Sequence, residues 1–470
     1  MGKAETLRAF LGQLPPAAAR KLLDAVERGD LPAKQLGLSA EELHDCLAEQ
    51  ASLSSDKRDS SEEIRRLFVQ PFEDLLFEGD RKEKEPGMIP RTSIEPIWSW
   101  LKEDLLPDTI PGLLSRIDTH IQSGDEIARD AAMRVMHESA GSAMTAALEQ
   151  SEIDPGLFDA LVARLGGYDL LEDAREIADV FMILDEMMEM QRTVPRHIAA
   201  FDTQMVAEVR DLYDTLYEKD PDRAIYLALA VMGRLESPWH ILRLARKVAQ
   251  KDDDTMISRT DFSILGERLI RRLEIISSYF QKLRPGLSDL DELHRLLVEF
   301  SELSKGITKE IELLRIGNWG QRLLKARNVI STAIGDELSR YAKDLGAALP
   351  LQRVGGFGRA GPRRADVHHL PDEEKADRAR RELTFMKGIR PLAQAIGAQN
   401  AFDKVRPELE AYMVSYEDAI IEELRYTDPE AAANAEAYLD LACELTDLLS
   451  GDNAASILRK RGRVALQATA

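Results

Sequence analysis

The chain has 470 residues, 44% of them hydrophobic and 31% charged, with a formal net charge of −21. That balance excludes a wholly disordered polymer, and the length suggests about three modules rather than one helical core. The acidity disfavours nonspecific attraction of the whole molecule to DNA, RNA or anionic lipid, so any such binding has to be local.

Cys46 and Cys443 are the only two cysteines. Nothing in their placement suggests a disulfide framework or a cysteine-rich zinc site, and a reducing cytoplasm is the expected compartment. Apolar runs such as Ala224 to Met232 are far shorter than the roughly 20 residues a spanning helix needs. No secretory signal is expected, because the amino terminus lacks a basic region followed by an apolar core. Met1-Gly2-Lys3-Ala4-Glu5-Thr6 fits the permissive myristoylation pattern, although one acyl chain without a basic cluster holds a membrane only marginally.

Residues 1–50 read as a small helical unit. Pro15-Pro16 opens a helix that stops at Gly29, and Ser39-Ala40-Glu41-Glu42 has the form of a capping box for the next. A serine- and charge-rich linker follows at 51–60. From 61 to 258 many helices of moderate length alternate with proline or glycine, which fits either an irregular helical domain or a solenoid-like stack without a fixed period. Within it, Asp80 to Glu85 reads as an exposed charged loop. The methionine-rich run Phe181 to Met190 reads as core filling more than as an adaptable partner groove.

Residues 259–348 carry the clearest pattern. Phe262, Leu265, Leu269, Leu273, Ile276, Phe280 and Leu283 step by three or four, as expected of one buried helical stripe. The same spacing runs from Leu290 through Leu297, Phe300 and Ile307 to Leu314. It recurs from Leu323 through Ile330, Ile334, Leu338 and Tyr341 to Leu345. Breaks at Pro285-Gly286 and at Gly317 to Gly320 are short, which predicts a three-helix antiparallel bundle. A basic, glycine-rich linker is expected at 349–371 and an acidic helical bundle at 372–470. The fold class is all-α, since no alternating strand pattern stands out.

Motifs for chemistry are few. Gly356-Phe357-Gly358-Arg359-Ala360-Gly361 matches the dinucleotide string, but a helix precedes it and Pro362-Arg363-Arg364 follows, so it reads as linker. His44-Asp45 and the Glu41/His44 pair lack the partner ligands that metal phosphohydrolase or di-iron chemistry needs. Asp252-Asp253-Asp254 reads as a solvated helix end. The sequence holds no phosphate loop, nucleophile elbow or H-E-x-x-H helix, and no cofactor or metal is expected.

One charge distribution stands out. Ten basic residues between Arg315 and Arg364 face three acids, whereas residues 401–452 hold fourteen acids against three bases. Arg315, Trp319, Arg322, Lys325, Arg327, Arg353, Arg359, Arg363 and Arg364 are the candidate anion- or partner-binding residues: arginine forks suit phosphate or carboxylate, and an indole can stack on a base. The preferred reading pairs this stretch with the acidic terminal bundle of the same chain or of a second copy. The function expected is a non-enzymatic helical scaffold or adaptor for protein partners, with homo-oligomerisation through the charged surfaces. Two alternatives stand beside it, a nucleic-acid or anion-binding protein and a helical enzyme whose site no short motif reveals.

Overall fold

The computed structural model describes residues 60–79, 81–249, 253–314, 316–353, 363–426 and 429–467. The small unit and linker expected at 1–60 therefore lie outside it except for Ser60, as does the glycine-rich string at 356–361. Among the described residues the fold is all-α, with two short strand pairings. The chain divides into two compact units. The first takes residues 60–73 and 95–182, and the second takes 74–94 and 183–467.

In the first unit, helices α1 (Ser60–Val69), α2 (Ile94–Trp100), α3 (Ile110–Ser123), α4 (Glu126–Ile153), α5 (Pro155–Leu165) and α6 (Tyr168–Met182) follow one another. The ends are set locally. Gly124 and Gly166, both at positive φ, close α3 and α5, while Asp125 and Asp154 cap α4 and α5 through the amides of Ala128 and Gly156. Side-chain oxygens at these positions satisfy amides that the first helical turn leaves unpaired. The long α4 is the spine, packing chiefly on α6 and α3. Phe68, Phe72, Phe181 and His137 meet at its centre, where the imidazole stacks on Phe181 at 5.2 Å and lies 3.1 Å from the Phe68 carbonyl.

The second unit begins with strands β1 (Leu76–Phe77) and β2 (Ile89–Pro90), paired in parallel. Helices α7 (Leu184–Thr193), α8 (Thr203–Lys219), α9 (Ile225–Arg234), α10 (Leu242–Ala249) and α11 (Asp254–Ile257) follow, with a 3₁₀ turn at Pro238–Ile241. Met187 and Met190 of the methionine run are fully buried here.

The three striped segments form α12 (Ser263–Gln281), α13 (Leu290–Glu310) and α14 (Asn318–Leu338). Their apolar stripes are buried almost throughout, with Leu283, Leu290 and Leu314 half-buried at the ends. α12 packs most extensively on α14, while α13 packs on α12, on the 3₁₀ turn and on the later helix α16 (Glu373–Ile389). The third stripe does not run in one helix. It breaks at Ser339-Arg340 and resumes as α15 (Tyr341–Ala348), with the Ser339 hydroxyl bonded to the Asp336 carbonyl. A hydroxyl bonded back to the preceding turn competes with the helical ladder.

Strands β3 (Leu351–Arg353) and β4 (Arg363–Ala365) pair antiparallel where the sequence reads as linker, and β4 packs on α17 (Gln399–Tyr426). Helices α17, α18 (Pro429–Ser450) and α19 (Asp452–Gln467) pack on one another. Asp254 corrects the expectation of a solvated helix end. It is buried, and its carboxylate accepts the amides of Leu314 at 3.2 Å and Gly320 at 3.4 Å around the start of α14.

Candidate partner-binding cleft

A cleft of about 1150 Å³ opens in the second unit. Three stretches distant in sequence build it: the β1–β2 connection, the end of α9 with the 3₁₀ turn, and the facing sides of α12 and α13. Two glycines make the assembly possible. Gly87 turns the connection at φ 75°, where an L side chain is strained, and lies against Leu229. Gly306 lets the Trp239 ring lie on α13: a Cβ there would fall 2.3 Å from the indole. Trp239 is half-buried and lines the cleft with Phe77, Met88 and Ile275, which are half-buried too.

The walls carry charge, and much of it is already paired. Arg272 reaches Glu299 at 2.5 Å and Glu83 at 3.5 Å, and Arg271 reaches Glu85 at 3.3 Å. Burial raises the Glu85 carboxyl above its ordinary range and Arg271 opposes that rise. His240 lies at one side with Nε2 3.9 Å from Glu310, whose carboxylate is bonded by Arg243 at 2.6 Å. Desolvation, helped by Arg243, lowers the His240 pKa, and its Nδ1 is buried without a hydrogen-bond partner among the described residues. Along the α13 rim, by contrast, Lys305 and Lys309 are exposed and make no ion pair with the described residues. Among the described residues no group of three or more His, Cys, Asp or Glu side chains is arranged to hold a metal ion.

The candidate basic stretch lies elsewhere, and none of its described residues lines the cleft. Arg315, Arg359 and the side chain of Arg353 lie outside the described residues. Trp319 is fully buried against Gly266, with its indole N–H donated to Glu267. That ring is enclosed, so it offers no face for stacking on a ligand. Arg322 bonds Glu267 and, at 2.8 and 2.9 Å, Glu274. Arg327 donates to the Gln394 carbonyl at 2.7 Å, and Arg364 stands 3.3 Å from Glu423 of α17. Lys325 and Arg363 are exposed.

Sequence reasoning passed over the cleft residues. Asp80 to Glu85 read as an exposed loop, and a lone glycine at 306 within a helix is a weak signal. No family model, curated protein or solved structure matches the chain.

Proposed function

We propose that the chain is a non-enzymatic helical interaction protein of the cytoplasm whose second unit holds a segment of a protein partner in this cleft. An apolar side chain of the partner rests on Met88 and Trp239, and an acidic residue of the same segment pairs with Lys305 or Lys309. One observation carries this reading: half-buried apolar side chains line the same cleft as two lysines that no acid of the described chain engages, while Arg271 and Arg272 are already paired. Methionine and tryptophan suit such a lining, since one adapts in shape and the other buries a large area. A polyanion fits the basic stretch less well, because Arg322, Arg327 and Arg364 already contact acceptors and Trp319 is enclosed.

Site-specific photocrosslinking in the native cell tests this. A benzophenone side chain placed at Phe77, or at Glu302 of α13, which also lines the cleft, is expected to trap one protein, and the trapped peptide carries an acidic residue. The yield falls several-fold with Lys305→Glu/Lys309→Glu. The same group at Leu157, which is exposed in the first unit, is the background. Equal adducts at Leu157, or adducts indifferent to the charge reversal, overturn the reading.

A further inference from the structure

The last two helices carry opposite charge on their outer faces. α18 contains no lysine or arginine, and Glu436, Asp440, Glu444 and Asp447 recur along it at the spacing that keeps residues on one side of a helix. Glu436, Asp440 and Glu444 are exposed and Asp447 is half-buried. Glu444 meets Arg380 at 2.8 Å, whereas the other three make no ion pair with the described residues. Ala433 and Ala437 lie beside this ridge and leave it shallow.

On α19 the inner face is Ala455, Leu458, Gly462 and Ala465, all buried. The outer face presents Ile457 at 52% and Val464 at 62% exposure, one heptad apart with Lys460 between them. Arg461 is occupied by Asp418 at 2.6 Å, but Arg459, Lys460 and Arg463 are exposed and pair with no acid of the described residues. Two β-branched side chains one heptad apart form a short seam of the kind that helices bury against one another.

We propose that α19 docks on the acidic ridge of α18 in a second copy of this chain. Ile457 and Val464 lie on the small residues Ala433 and Ala437, and Lys460 and Arg463 face Glu436 and Asp440. The two faces stand on adjacent packed helices, so a two-fold axis satisfies both at once, each copy giving its basic face to the other's acidic one. α19 against α19 would set like charges together. An anionic membrane is repelled by a chain of net charge −21 that carries the acidic ridge beside the basic face.

Sedimentation velocity of the full chain is the test. Wild type is expected to dimerise reversibly, and more weakly as salt is raised. Lys460→Glu/Arg463→Glu weakens dimerisation by roughly tenfold or more, and so does Glu436→Lys/Asp440→Lys. Mixing the two reversed proteins restores a heterodimer. All four positions are exposed, so unchanged circular dichroism separates lost association from lost folding. A wild type that stays monomeric at concentrations up to about 100 µM in low salt, or a dimer indifferent to both reversals, overturns the proposal. Neither result touches the cleft, whose crosslinks are read at other positions.

Discussion

Arg340 of the second unit is shared among three carboxyl groups. Its guanidinium lies 2.8 Å from Asp344, 3.7 Å from Glu337 and 3.8 Å from Glu382, and Glu337 also accepts the Gly286 amide at 2.8 Å. Three carboxyl groups thus face one positive charge in a nearly closed space, with the buried hydroxyl of Tyr341 close by. Burial, then the charge and hydrogen bond of Asp344, push the Glu382 pKa up from 4.5 to about 8. The fold therefore keeps a proton that the unfolded chain releases, so stability is lost as pH rises from about 4.5 to about 8. Over that window this group alone is expected to cost on the order of 2–4 kcal/mol. Glu382→Gln keeps the shape and removes the titration, so its urea-unfolding free energy is flatter across the window and higher than wild type at the alkaline end. Parallel curves for the two proteins would show that Glu382 is ionised in the fold.

At the scale of elements, α14 is anchored from outside its own sequence. Its N-cap is Gly317, which has no side chain to offer, and Asp254 of α11 supplies the acceptor for the amides of Leu314 and Gly320. Removing a buried acceptor leaves its donors unsatisfied, so Asp254→Ala is expected to destabilise the chain by about 1–3 kcal/mol. Glu302→Ala, at an exposed helical position, is expected to stay within about 0.5 kcal/mol. Equal denaturation midpoints for the two variants would deny Asp254 this role. The same residue marks how far the sequence is legible. Burial periodicity is local, so the stripes of α12, α13 and α14 could be read directly from Leu265, Phe300, Ile334 and their neighbours. The break at Ser339-Arg340 could not, because the apolar spacing continues through Leu338, Tyr341 and Leu345 and no proline or glycine interrupts it. Asp254 and the cleft depend on residues brought together across long stretches of chain: Phe77 and Met88 from one, Trp239 from another, Gly306 from a third. No short-range pattern encodes such a meeting.

Across the whole molecule, the surroundings of His137 in the first unit and of Glu382 in the second are expected to respond to pH in opposite directions, while His240 of the second unit shares the sense of His137. In the first, burial lowers the His137 pKa from 6.5 to about 4, so the unfolded chain binds a proton that the fold excludes. The contribution of His137 to stability is fully present above about 6.5 and is lost as pH falls toward about 4. In the second, burial raises Glu85, Glu382 and Glu417 together, so each favours the fold at lower pH and penalises it as pH rises. Hydrogen exchange read by mass spectrometry separates the two, because it reports the opening of each region rather than one global transition. Acidification from neutrality toward about 5 is expected to speed intrinsic-rate-corrected exchange in α4 and α6, where His137 and Phe181 sit, and to slow it in α15 and α16 around Glu382. His137→Phe should abolish the first response and leave the second in place, while Glu382→Gln should do the reverse. If acid changes protection in α4 and α6 and in α15 and α16 with the same sign, the charge states of His137 and Glu382 do not govern the stability of the helices that hold them.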